Sequence, residues 1–219
     1  MARDASVEET MIEVIPGILE KNFEAMQQKI DLVKSHVKSI HIDVLDNTLF
    51  HNVTYNYWPA YKALTLANFY EAHLMVADPS SYVAPLVENG FRRLIAHAEA
   101  ESIRDFVTQA RAHEVEVGLA FDAGSELELI EPYLEEIDTV LIMTVNAGFS
   151  GQTFQPAQLT KIKRIHEEYP NLPISVDGGI NKTTAPEAIA SGATRLTVTS
   201  YLFKENPDQI EKAIQELSR

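Results

Sequence analysis

Eight short apolar runs rich in β-branched residues recur along this chain, and their alternation with helix-like stretches limits its fold more than any other feature. The runs are MIEVIPGIL, SIHIDVL, NFYEAHLMV, RRLIAHAE, EVEVGLAF, TVLIMTV, LPISVDGG and TRLTVTS. Between them, NFEAMQQKIDLVKS, SSYVAPLVENG, ESIRDFVTQARAH and PAQLTKIKRIHEEY carry apolar residues at helical spacing. TTAPEAIASG and NPDQIEKAIQEL supply two more helices, and YWPAYKAL is the weakest of the set. Asn22, Ser80 and Asn206 are candidate N-caps, while Gly90 and Gly192 are candidate helix stops. The acidic runs SELELIEPYLEEID and HEEYP read as solvated helix faces. Strand–helix alternation calls for a parallel sheet, and eight repeats favour an α/β fold closed into a (βα)8 TIM barrel. An open doubly wound sheet is the alternative, disfavoured because no Gly-x-Gly-x-x-Gly turn follows the first run. No linker or composition shift divides the chain, so residues 1–219 are expected to form one barrel domain. Residues 1–10 are expected to be a poorly ordered N-terminal extension.

Charge narrows the partners. A net charge of −14 argues against nucleic acid and anionic membranes, both of which need a basic face. A phosphate ligand would have to be held by a local pocket of backbone amides. The chain has no cysteine, which excludes disulfides and thiolate chemistry and fits a reducing compartment. MARDASVEETMIEV lacks the basic and apolar segments of a secretory signal, and no apolar run approaches the roughly 20 residues of a membrane span. The expectation is a soluble, cytoplasmic protein.

Period-two alternation places Ser39, His41 and Asp43 on one face of the second strand, with Ile40, Ile42 and Val44 on the other. His73 falls late in the third strand and Asp177 late in the seventh. A barrel gathers such strand ends into one mouth, where its chemistry sits. Two imidazoles and two carboxylates there suit a divalent metal, and equally an acid/base pair working from separated strands. Each residue alone also reads as a satisfied polar group of a barrel core. Four together argue against that, because buried charge is costly unless paired or ligating. NAGFSGQ (146–152) and DGGIN (177–181) bring Gly148, Gly151, Gly178 and Gly179 to the loops where phosphate binds in such barrels.

HIDVLD, HLMV, VNAGFSGQTF and SVDGGIN resemble, in order and spacing, the signature segments of the ribulose-phosphate 3-epimerase family. The resemblance runs from IPGIL (15–19) through TSYLF (199–203). It implies a (βα)8 barrel and a divalent metal (Zn, Fe, Mn or Co) ligated by His41, Asp43, His73 and Asp177. It further implies that Asp43 and Asp177 are the catalytic acid/base pair. One carboxylate would remove the C3 proton of a ketose phosphate and the other would return a proton to the opposite face. The metal would stabilise the enediolate between the two steps. Met75, Met143 and Gly17 match positions lining the site, although both methionines also suit plain core filling. Gly148, Gly151, Gly178, Gly179, Thr199 and Ser200 match positions around the phosphate, and Asn146 and Gln152 belong to the same loop. The resemblance also implies a homo-oligomer.

Several positions depart from the family pattern. PSIL has become PGIL, so Gly17 brings no hydroxyl; HIDVMDG has become HIDVLDN, with Leu45 and Asn47; FVPN has become LFHN, with His51. The GS that opens the last phosphate turn is Thr199-Ser200. A left-handed backbone at 199 would strain threonine, whereas any other conformation leaves its amide and hydroxyl available. The metal and acid/base residues persist while the periphery has drifted. The expected activity is metal-dependent 3-epimerisation of D-ribulose 5-phosphate to D-xylulose 5-phosphate. Alternatives are 3-epimerisation of allulose 6-phosphate or a free ketose, or a non-catalytic sugar-phosphate-binding barrel. His97 reads as a structural hydrogen-bonding residue, and His36, His113 and His166 fall near helix C-termini. Trp58 and its tyrosines fit either the mouth or a subunit contact.

Overall fold

A computed structural model describes residues 11–218; the segment 1–10 expected as an extension lies outside the described residues. The eight apolar runs form β1 (Glu13–Ile18), β2 (Ser39–Leu45), β3 (Phe69–Met75), β4 (Arg93–His97), β5 (Glu116–Phe121), β6 (Thr139–Met143), β7 (Ile174–Asp177) and β8 (Arg195–Val198). All neighbours pair in parallel, and β8 returns to β1, so the sheet closes as the expected barrel. Six α-helices follow the helical stretches: α1 (Phe23–Val33), α2 (Val83–Glu88), α3 (Ile103–Ala112), α4 (Leu159–Glu168), α5 (Thr184–Ala190) and α6 (Ile210–Leu217). None is long and apolar enough to cross a membrane.

Two stretches expected as helices form short 3-10 turns instead. YWPAYKAL forms two 3-10 turns, Trp58–Tyr61 and Leu64–Leu66, and SELELIEPYLEEID forms two more, Leu127–Leu129 and Glu131–Tyr133. Pro132, inside the second stretch, removes an N–H and restricts the preceding residue, which favours short turns over a continuous helix. Trp58 packs against Tyr61, Tyr82 and Phe91 in an aromatic cluster.

Asn22 caps α1 as expected, its Oδ1 accepting from Ala25 N at 2.9 Å. The other two caps fail. Ser80 lies inside the turn Pro79–Tyr82, its hydroxyl donating to Asp78 Oδ1. Asn206 closes the π-helical turn Tyr201–Glu205 by donating to Tyr201 O, and α6 starts only at Ile210.

The strands bury both faces. Outward residues such as Ile40, Ile42, Val44, Leu94 and Val176 join the helices in the large apolar core. The inward residues divide. Ile95, Ala120, Leu141 and Met143 from β4–β6, with Val145, make a small apolar core inside the barrel. The remaining interior is mostly polar, with His41, Asp43, Glu71, His73, Arg93, Ser175 and Thr197 all buried beside Ile15.

Gly192 stops α5 with a φ of +114°, and a Cβ there would collide with Cγ of His166 on α4. Gly192→Ala is therefore expected to cost at least about 1 kcal/mol, lowering the thermal midpoint by a few degrees in calorimetry.

Candidate metal centre and substrate pocket

Strand register assembles the site. Asp43 on β2 stands opposite His73 on β3, His41 opposite Glu71, and Asp177 on β7 opposite both Met143 on β6 and Thr197 on β8. All lie on inward faces, the first two pairs by the period-two rule read from SIHIDVL. Thr54 fixes the end of β2: its hydroxyl donates to Asp43 O at 2.8 Å and accepts from Leu45 N at 2.9 Å.

His41, Asp43, His73 and Asp177 converge, with one donor atom from each lying within 4.8 Å of the others. His41 Nε2 is 3.3 Å and His73 Nδ1 3.0 Å from Asp43 Oδ1, and His73 Nδ1 is 3.9 Å from Asp177 Oδ2. Two nitrogens and two carboxylate oxygens at such separations, largely shut from water, fit a divalent cation. The set predicted from sequence is thus brought together complete.

The outer nitrogens of both rings are also held. His41 Nδ1 meets Glu71 Oε1 at 2.6 Å, and the other Glu71 oxygen accepts from Arg93, which also donates to Glu116 Oε2 at 2.7 Å. His73 Nε2 lies 2.8 Å from His97 Nε2, and His97 Nδ1 is 3.1 Å from Glu99 Oε2. The two rings stack with centroids 4.9 Å apart. Leaving His73 Nδ1 free to ligate puts its hydrogen on Nε2, donating to His97, whose own hydrogen then points at Glu99. His97 was legible as a structural hydrogen-bonding residue. Glu71 and Arg93 were missed, although Glu71 shares the inward face with His73 at a spacing of two.

Burial dominates the electrostatics, and paired charge answers it. Burial disfavours the charged His41 ring, yet Asp43 and Glu71 raise its pKa well above the usual imidazole range. Burial works against the Asp43 carboxylate, but the two imidazoles hold its pKa well below the ordinary value. Glu71 is also penalised by burial, and His41 and Arg93 bring it down to about 2. For His73 burial prevails, lowering its pKa to about 4. Burial and repulsion from Asp43 push Asp177 up to about 7. The two carboxylates therefore differ in proton affinity.

Above the cluster, a cavity of about 430 Å³ is lined by Met75 and Met143, by Gly148 and Gly151, and by Gly178, Gly179, Thr199 and Ser200. Of the residues expected to line the site or hold the phosphate, Gly17 alone is absent from this wall. Gly178 and Gly179 both take positive φ, and a Cβ on Gly179 would lie 2.6 Å from Phe154 N. Asn52 on the β2 loop donates to Gly148 O at 2.8 Å, and Gln152 closes its own loop onto Asn146 O at 2.6 Å. Asn47, where the family pattern has glycine, has φ 67°, a left-handed conformation that asparagine tolerates. Thr199 is not among the positive-φ residues, so the strain considered for a β-branched side chain there does not arise.

Glu71→Gln removes the anion that orients His41 and neutralises Arg93. Affinity for Mn2+ measured by titration calorimetry is expected to fall about 10- to 100-fold. The folded-state pKa of Glu71 is depressed, so its stabilisation is complete above the ordinary carboxylate value of about 4.3 and is lost as pH falls toward about 2. Urea unfolding should show the variant less stable than the parent at neutral pH, with the gap closing across that acidic window.

The ribulose-phosphate 3 epimerase family model matches residues 13–203. The ribulose-phosphate 3-epimerase of Bacillus subtilis (strain 168) is 33% identical over 215 residues, spanning 94% of this chain and 98% of that protein. The cytoplasmic isoform of ribulose-phosphate 3-epimerase from Oryza sativa subsp. japonica is 28% identical, over 93% of this chain and 92% of that protein. Among solved structures, KGPDC from Streptococcus mutans superposes with a TM-score of 0.73 at 13% identity, covering 94% of this chain and 97% of that one. That likeness speaks to the fold alone. With the family model covering most of its length and the four-residue cluster in place, the chain belongs to the ribulose-phosphate 3-epimerase family, isomerases that act on carbohydrates.

Proposed function

We propose that this protein epimerises a pentulose phosphate at C3, interconverting D-ribulose 5-phosphate and D-xylulose 5-phosphate with a bound divalent metal. The observation that carries this reading is that Asp43 and Asp177 reach the same imidazole nitrogen, His73 Nδ1, from β2 and β7, with the cavity above them. Inversion needs two acid/base groups, since a single base tends to return the proton to the face it came from. His41, Asp43, His73 and Asp177 would hold zinc, iron, manganese or cobalt, all of which accept this donor set. When bound, the ion supplies Lewis-acid polarisation of the C2 carbonyl and so acidifies the C3–H bond.

The chain's own residues do the rest. One carboxylate takes the C3 proton, the other delivers a proton from the opposite side, and their roles exchange in the reverse direction. Met75 and Met143 present apolar surface beside the reacting carbons and exclude water. The phosphate falls to the turns of Gly148, Gly151, Gly178 and Gly179 and to Thr199-Ser200. Backbone N–H groups hold an anion at close range there, which a chain of net charge −14 needs.

The test is deuterium incorporation at C3 of D-ribulose 5-phosphate by the Mn2+-loaded protein in deuterated water, with metal content measured alongside. The parent protein should label C3 and form xylulose 5-phosphate. Asp43→Asn and Asp177→Asn should each lower epimerisation at least about 100-fold. Parental turnover in either variant would remove the two-carboxylate mechanism.

A further inference from the structure

Gly17 and Thr199 share one volume. Gly17 lies in β1 and Thr199 directly follows β8, each one step beyond the register pair Pro16–Val198. A Cβ built on Gly17 would lie 2.5 Å from Thr199 Oγ1 and 3.1 Å from Thr197 Cγ2. Gly17 does not take a positive φ, so its backbone does not require glycine; the space is what excludes a side chain. Thr199 lines the cavity and Gly17 does not, so the threonine covers the glycine and presents the wall in its place. On either side of it, the hydroxyls of Thr197 and Ser200 are buried, line the same cavity and have no hydrogen-bond partner. Buried hydroxyls in native structures are normally satisfied, so this row of three side chains is arranged for a polar ligand or its water.

We propose that Thr199 is a substrate-contacting, specificity-determining residue whose hydroxyl bonds a ketose oxygen, and that Gly17 is glycine in order to seat it. The row runs from Thr197, opposite Asp177, to Ser200, beside Gly151. Thr199 therefore stands between the acid pair and the glycine turns, facing the carbons that link the reacting centre to the phosphate. The inference rests on the function proposed above for its ligand, but not for the pairing of the two positions.

The test is a mutant cycle read by kcat/KM for D-ribulose 5-phosphate, metal content and thermal midpoint. Thr199→Val keeps the shape and removes the hydroxyl. It should lower kcat/KM about tenfold, mainly through KM, with metal content and midpoint unchanged. Gly17→Ser should lower both the midpoint and kcat/KM, because its side chain meets Thr199. Adding Thr199→Gly to it should recover the midpoint and most of the activity. Parental KM in Thr199→Val, or penalties in the double variant that simply add, would overturn the proposal. Should the parent protein turn over no ketose phosphate, the proposed function fails separately. The midpoints then still read the pairing, and calorimetric binding of D-ribulose 5-phosphate to parent and Thr199→Val reads the contact. Equal or absent binding there would also overturn it.

Discussion

The structure depends on keeping charge inside a barrel without leaving any of it alone. Glu71 is wholly buried, and a lone carboxylate there would be prohibitive. Parallel register makes it tolerable by setting His41, Glu71 and Arg93 abreast on three successive strands. Both Glu71 oxygens are used, one by the imidazole and one by the guanidinium, and Arg93 passes its remaining charge to Glu116. A buried network of this kind contributes little net stability compared with an apolar core, but losing one member strands the rest. Its return is orientation, because the bond to Glu71 turns His41 Nε2 toward Asp43.

The barrel interior is accordingly split by chemistry. The inward side of β4–β6 is filled by Ile95, Ala120, Leu141 and Met143, which pack without polar atoms to satisfy. The opposite side, from β1 to β3 and β7 to β8, carries the histidines, carboxylates and hydroxyls. Arg93 and His97 on β4 and Thr139 on β6 are the exceptions: Arg93 reaches Glu71, His97 faces across to His73, and Thr139 lies beside Ser175. The apolar half gives the polar half a low-dielectric wall, which strengthens each charge pair and sharpens the cost of breaking one. Met75 and Met143 stand at the boundary and line the cavity.

Departures from the family pattern become orderly at this level. Asn47 replaces glycine where the backbone is left-handed, and asparagine is among the residues that accept it. Thr199 replaces glycine where the backbone is not left-handed, and Gly17 yields the room it fills. Two substitutions that look independent in sequence are a single exchange of volume between β1 and the residue that follows β8.

Much of this could be read from the residues. The eight β-branched runs and their alternation determined the barrel, and the period of two determined that His41, Asp43 and His73 face inward. The four-residue cluster was legible too, since the fold class alone gathers strand ends. What stayed hidden were the contacts between strands: Glu71 beneath His41, His97 behind His73, Gly17 against Thr199, and the 3-10 turns where helices were expected. The reason is physical. Alternation is a property of one strand and is written in its own residues, whereas register and side-chain volume are settled only when strands close against one another. Each strand's own residues settle which side chains enter the barrel, and closure of the sheet settles which of them meet.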